Sequence, residues 1–170
     1  MNLRTGIPLL LGLLLAASSA LGQDMSATSV EVEFLNPDEY TDADYGKGIH
    51  QREGEANFRQ LRKFLQQQAP SYLKPGQRLL VQFTDIDLAG DREPTARLEM
   101  RDVRIIRSVY PPKLDFHYRL TDELGNVLRE GQASIRDLGF ELHHRSRMSD
   151  PLRYEKRMLS EWLRDEFVNR

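Results

Sequence analysis

The sequence predicts an α+β domain in two layers, with a mainly antiparallel sheet of four or five strands and two helices on one face of it. Two observations lead to this class. Apolar and polar residues alternate in several short segments, as they do in half-buried strands. In two longer segments, near residues 52–69 and 150–168, apolar residues instead recur at helical spacing. The expected element order is β-α-β-β-β-β-α.

The first 22 residues are typical of a secretory signal peptide, because Arg4 precedes an uncharged apolar block and small residues lead to an expected cleavage after Gly22. The apolar block of about 11 residues falls short of the roughly 20 needed for a membrane span. We therefore expect residues 23–170 to form one exported domain in the periplasm or outside the cell. It should have no stable membrane anchor once the signal is removed.

The composition and charge of the chain exclude several kinds of site and partner. The chain has no cysteine, which excludes disulfides, thiolate catalysis and cysteine-rich zinc sites. Its net charge of −2 argues against a nucleic-acid partner. Residues 59–80 hold five basic residues and no acidic one, whereas residues 23–58 are strongly acidic. Local charge pairing explains this pattern, and a basic face for an anionic envelope component is the alternative.

The early elements follow from their periodicity. Val30 and Val32 alternate with glutamates in a half-buried first strand, and residues 37–48 are rich in Pro, Gly and Asp, as loops are. The helix at 52–69 should be stopped by Pro70.

The segment 78–88 predicts a central strand because both of its faces are apolar. On this reading Leu79, Val81 and Phe83 point to one side and Leu80, Ile86 and Leu88 to the other. The strand ends in a cluster of carboxylates, which makes this end the first candidate for a site.

The later elements are a third strand through residues 98–105 and a hairpin whose strands flank the glycine-bearing turn at 122–126. The second helix has a well-marked start. Asp150 suits the N-cap and Pro151 the first helical position.

Three blocks carry a resemblance to a known family. The blocks are NPDEYTDA near residue 40, TDIDLAG after the PGQ turn, and SDPLRYEKRMLSEW near the C-terminus. With these blocks in this order, the chain resembles the secreted Gram-negative domain-of-unknown-function family 3016 over roughly residues 30–167. The resemblance implies an exported single-domain protein, and it implies no activity, cofactor or partner.

The carboxylates at the end of the predicted central strand can be compared with the pattern of a calcium-binding loop. Asp85, Asp87 and Gly90 match the first, third and sixth positions of a calcium-binding loop. Alanine stands at the fifth and twelfth positions, where carboxylates are needed. The match therefore fails at two ligands, and we expect neither a metal nor a cofactor.

Asp85 and Asp87 also form a carboxylate pair, about 7 Å apart on one strand face by the rise of a strand. Two carboxylates at a definite gap can hydrolyse a glycosidic bond. The alternative, which we call the structural reading and favour, is that these acids have no catalytic role. On this reading they cap loops or pair with basic residues such as Arg78, Arg92 or Arg153.

Glu155 and Lys156 fall within the apolar arc of the second helix, so they should be partly buried and need partners. One interpretation is an ion pair with the Asp85 and Asp87 strand end or with Asp137. The other is that helix and strand end together line a ligand pocket.

These observations favour a non-enzymatic periplasmic binding or accessory module, with an envelope protein or an anionic envelope component as partner. The alternative is a cell-envelope hydrolase that uses the paired carboxylates, with or without a divalent metal. The candidate binding residues are Asp42, Asp85, Asp87, Asp91, Arg153, Glu155 and Lys156.

Overall fold

The computed structural model describes residues 28–42, 51–92, 103–142 and 150–169. The expected signal peptide, part of the 37–48 loop and most of the predicted third strand lie outside these residues. The described chain contains four strands, β1 Ser29–Phe34, β2 Arg78–Asp87, β3 Lys113–Thr121 and β4 Val127–Arg136, and two helices, α1 Gln51–Gln68 and α2 Arg153–Phe167.

The four strands form one mixed sheet in the order β1-β2-β3-β4. β1 runs parallel to β2, while the β2-β3 and β3-β4 pairs are antiparallel. The predicted α+β class, with four strands and two helices, is confirmed at this level. Of the predicted third strand, Ile105 makes a single antiparallel bridge to Asp91. The order within the described residues is therefore β-α-β-β-β-α.

Helix α1 provides the crossover that a parallel strand pair requires. It also covers the outer edge of β1, because Arg62 Nε donates to the Val32 carbonyl at 3.2 Å and Gln66 Nε2 donates to the Val30 carbonyl at 3.4 Å. The α-helix ends at Gln68, two residues before Pro70, so the predicted stop is confirmed. The chain continues directly into a short 3-10 helix, Ala69–Tyr72, which contains Pro70 near its start.

Both helices pack on the same face of the sheet. Alternate residues of β3 are buried while His117 and Arg119 between them are exposed. The buried residues of the sheet share one apolar cluster with both helices. The cluster includes Leu79, Val81, Phe83, Leu114 and Phe116 of the sheet, Leu61 and Leu65 of α1, and Leu159, Trp162 and Leu163 of α2.

An irregularity in β2 decides where its acidic end points. The β2-β3 register shifts between Phe83 and Asp85, so one extra residue enters β2 there. Ile86 and Leu88 consequently join the buried cluster with Leu79, and the prediction that they lie on the opposite face was wrong. Because Ile86 is inward, Asp85 and Asp87 lie on the face of the sheet that the helices leave open.

The start of α2 also differs from the prediction by a few residues. The helix begins at Arg153 rather than at Pro151. Asp150 still caps the segment, because its Oδ1 accepts the Leu152 N–H at 2.9 Å. The proline therefore belongs to the turn that precedes the helix.

Candidate functional site

Asp85 fixes the segment that follows β1. Its two carboxylate oxygens accept the backbone N–H of Thr41 at 2.6 Å and the Thr41 hydroxyl at 2.9 Å. Lys113 Nζ lies 3.7 Å from the same carboxylate. The backbone N–H of Asp42 donates to the Ile86 carbonyl at 3.1 Å, so residues near 41 run beside the end of β2. Asp85 therefore has the loop-fastening role that the structural reading assigned to the acids.

Asp42 performs a similar task one step further along β2. Its Oδ2 accepts a hydrogen bond from the Leu88 N–H at 2.6 Å and another from Arg104 Nη2 at 3.1 Å. Burial raises the pKa of Asp42, and the Arg104 guanidinium opposes that rise. Asp42 is therefore a largely buried carboxylate that depends on one cation.

Arg104 holds the turn that ends β2. Its Nη1 donates to the carbonyls of Leu88 at 2.9 Å, Ala89 at 3.1 Å and Gly90 at 2.8 Å, while Nη2 binds Asp42. Gly90 has φ 82°, and a Cβ there would meet the Ile105 carbonyl oxygen at 2.5 Å. The turn thus needs glycine for both conformation and space. Sequence reasoning missed Arg104. Its one signal was a basic residue between the apolar positions of the predicted third strand.

Asp87 differs from its neighbours because no described residue donates a hydrogen bond to its side chain, which is only half-buried. Burial raises the pKa of Asp87 to about 6, and the nearby carboxylates of Asp42 and Asp85 add to the rise. The guanidinium groups of Arg136 and Arg104 oppose it. Asp87 therefore presents a carboxyl group that changes charge near neutral pH.

Replacing Asp87 with asparagine is expected to stabilise the fold at about pH 7.5. Because the pKa of Asp87 rises from 3.8 to about 6 on folding, the carboxyl stabilises the fold at low pH and this contribution is lost as the pH rises through that window. Allowing for solvent screening of a half-exposed group, the gain is about 1 kcal/mol. Urea unfolding at about pH 4 and about pH 7.5 measures it.

A matched control is Asp38→Asn, which alters an exposed aspartate in the turn after β1. The control should change stability little at either pH. An Asp87→Asn gain that is equal at both pH values would contradict the assignment, because the gain must vanish where the native carboxyl is protonated.

Helix α2 reaches the end of β2 through Glu155. This side chain is fully buried, at 0% exposed, and its Oε1 accepts the Ala89 N–H at 2.8 Å. Burial raises the pKa of Glu155, while the Ala89 hydrogen bond and the Arg104 charge oppose the rise. Glu155 is buried, as its place in the apolar arc predicted, but its hydrogen-bond partner is the Ala89 N–H rather than a charged group.

Lys156 does not join the cluster. Its Nζ binds Asp150 Oδ2 at 2.7 Å and Gln60 Oε1 at 3.3 Å. The predicted ion pair between Lys156 and the Asp85 and Asp87 strand end was wrong. Successive helical residues are about 100° apart around the axis, so Glu155 and Lys156 meet different neighbours.

The other residues that the sequence singled out make their contacts away from the buried acids at the end of β2. Arg153 lies over the Tyr154 ring, 4.2 Å from its centroid, rather than against the acids of β2. The expected partner role at Asp137 is taken by Arg157, which contacts its carboxylate. Asp91 is exposed, and its Oδ1 accepts the N–H of Arg92 at 2.6 Å.

A depression of about 290 Å³ lies beside the cluster, between the first half of α1, the turn after β2 and the start of α2. Asp85 and Asp87 do not line it. Within the described ranges, no group of three His, Asp or Glu residues is arranged to hold a metal ion. The residues that line the depression are Glu53, Ala56, Asn57, Leu88, Arg92, Arg104, Pro151 and Leu152.

The sequence matches one protein family, described as a protein of unknown function (DUF3016), over residues 28–165. The chain belongs to this family. The resemblance seen in the three sequence blocks is thereby confirmed. A search of curated proteins returns no match. None of the helices in the described part of the chain is long and apolar enough to cross a membrane. The family description assigns no activity.

Proposed function

We propose that the protein is an exported, non-enzymatic binding or accessory module of the cell envelope. Its contact surface is the polar end of β2, which we define as the side chains of Asp85, Asp87 and Asp91 together with the less exposed Asp42 and Arg104. The observation that carries the proposal is the contrast within this surface. Asp42 and Asp85 are engaged by backbone groups, whereas Asp87 is half-exposed and receives no hydrogen bond from a described residue.

The surroundings of Asp87 are fixed before any partner arrives. Asp85 fastens Thr41, and Arg104 fixes the carbonyls of the turn, so neither needs to be ordered on binding. Preorganisation of this kind avoids an entropic cost of association. Lys113 lies opposite Asp87 across the β2-β3 pair, so the surface offers charges of both signs. The exposed carboxylate favours an envelope protein with a basic contact group over an anionic envelope component, which Asp87 would repel.

The same geometry favours binding over catalysis. An enzyme requires a concave site in which its acid and base converge. Neither carboxylate of the pair lines the 290 Å³ depression, and Asp85 is held by two hydrogen bonds from Thr41. One observation supports the hydrolase alternative, namely the pKa of about 6 at Asp87, which suits a general acid.

The test is capture of envelope components by the exported chain and by two charge-reversal variants. Asp87→Lys should reduce capture of the partner by about tenfold, since a like charge placed at an interface is strongly unfavourable. Glu123→Lys, in the hairpin turn at the other end of β3, should capture as much as wild type. Equal capture by all three proteins would refute the proposed surface. Release of fragments from envelope material by wild type, but not by Asp87→Asn, would favour the hydrolase instead.

A further inference from the structure

Strand β4 forms one end of the sheet, and within the described residues its outer edge has no partner strand. The strand is ten residues long, and its pairing with β3 is regular except next to the hairpin turn. It contains no proline, and its even-numbered side chains are exposed along its whole length. Long, regular edges of this kind readily pair with another strand unless they are protected.

The direction of the backbone groups shows which residues are available at this edge. The Asp137 N–H donates to the Pro112 carbonyl at 3.2 Å, so the odd-numbered position next to β4 points toward β3. Backbone groups alternate in direction along an antiparallel strand. The N–H and C=O groups of Glu130, Gln132, Ser134 and Arg136 therefore point away from β3, toward the free edge.

We propose that β4 pairs antiparallel with β4 of a second copy of the chain, with the two-fold axis at Ala133. The two sheets then continue into one another across the dimer. Arg136 also acts on the charge of Asp87, but the inference rests on the edge of β4 and its tests measure self-association, so either proposal can fail without the other.

Charge selects this register. Pairing about Ala133 sets Glu130 of each copy opposite Arg136 of the other, and it does so twice. A two-fold axis at Gln132 instead sets Glu130 opposite Ser134, and an axis at Ser134 sets it opposite Leu138. Opposite charges directly across neighbouring strands are favourable, so the Ala133 register has two complementary pairs that its neighbours lack.

One exposed leucine near the start of β4 and another in the turn after its end are compatible with the same register. Leu128 is 50% exposed and Leu138 is 74% exposed. With the axis at Ala133, Leu128 of one copy faces Leu138 of the other. Apolar surface that is exposed to solvent in the single chain is thereby buried near both ends of the strand pair.

A charge swap tests the proposal by sedimentation of the exported chain over a range of concentrations. Wild type should form a concentration-dependent dimer. Glu130→Arg sets arginine against arginine in both pairs and should raise the dimer dissociation constant by about tenfold. The double variant Glu130→Arg, Arg136→Glu should restore it. A Glu123→Arg control, at a site outside the strand pair, should dimerise like wild type.

The rescue separates the dimer contact from a contact within the chain. Glu130 also pairs with Arg119 of its own chain at 3.0 Å, and that pair is lost in the single and the double variant alike. A monomer at every concentration would overturn the proposal. So would a double variant that is no tighter than the single one.

A thiol cross-link tests the register itself, because the chain contains no cysteine of its own. Ala133→Cys puts the two thiols opposite each other at a non-hydrogen-bonded pair, where Cα atoms are about 4.5 Å apart and a disulfide can form. Mild oxidation should cross-link this variant efficiently. Gln132→Cys, whose two copies are not opposite, should cross-link far less, and the reverse result would overturn the Ala133 register.

Discussion

Replacing Arg104 with alanine is expected to lower the free energy of unfolding by about 3 kcal/mol, since removing one partner of a buried charge pair leaves the other uncompensated. Asp42 would lose its cation, and its pKa is already raised by burial. The carbonyls of Leu88, Ala89 and Gly90 would lose a shared donor. Urea unfolding of wild type and variant measures the loss.

Two further variants define the cause of that loss. Arg104→Lys keeps the charge but not the planar fork that reaches the carbonyls and Asp42 together, so its loss should be intermediate. Arg59→Ala removes an exposed arginine whose contact with Glu55 spans 3.8 Å, and such pairs contribute about 0.5 kcal/mol or less. If Arg104→Ala lowered the free energy of unfolding no more than Arg59→Ala, the contacts of Arg104 would not be what holds the turn after β2 in place.

Periodicity and turn-forming residues correctly predicted the hairpin and the two helices, because these elements are determined by residues close together in sequence. The β3-β4 hairpin follows from alternation on both sides of Asp122, whose carboxylate accepts the N–H groups of Leu124 and Asn126. The two helices follow from their apolar stripes, and the observed ranges lie within a few residues of the expected ones. These features depend on residues close together in sequence.

The face on which the acids of β2 lie depends on an irregularity that a strict count by twos does not include. One additional residue after Phe83 resets the alternation, and the buried apolar residues pass there from odd positions to the even positions of Ile86 and Leu88. Counting by twos therefore placed Ile86 on the wrong face. The acids remained together at the strand end because their grouping depends on sequence proximity, not on which face they occupy.

The sequence predicted the acidic residues at the end of β2, but it did not predict that Arg104 is their cationic partner. At the end of β2, Asp85 binds Thr41 on the open face of the sheet, whereas Asp42 and Glu155 lie close together. Arg104 reaches them only because the Asp91-Ile105 bridge brings two distant segments together. A contact of that kind is set by tertiary structure. Lys156 failed as a candidate for a related reason, because a nearer carboxylate at Asp150 was available to it.

Glu155→Leu should lower the free energy of unfolding by about 2 kcal/mol at about pH 5, since a buried N–H left without an acceptor costs this much. The acceptor that would be lost is Oε1, which binds the Ala89 N–H and so ties α2 to the end of β2. Urea unfolding across a range of pH measures the effect. Glu155→Gln is the matched comparison, because its amide oxygen can still accept a hydrogen bond from the Ala89 N–H, and its loss of stability should be clearly smaller.

The pH dependence of these variants distinguishes the hydrogen bond from the charge. Because burial raises the folded pKa of Glu155 above its ordinary value of 4.5, the wild-type side chain stabilises the fold at low pH and this contribution is lost as the pH rises. Both variants lack the ionisable group, so the gap between wild type and Glu155→Leu should narrow as the pH rises. A gap that widens would mean that the ionised carboxylate is the stabilising form and that Arg104, rather than the Ala89 N–H, is its main partner.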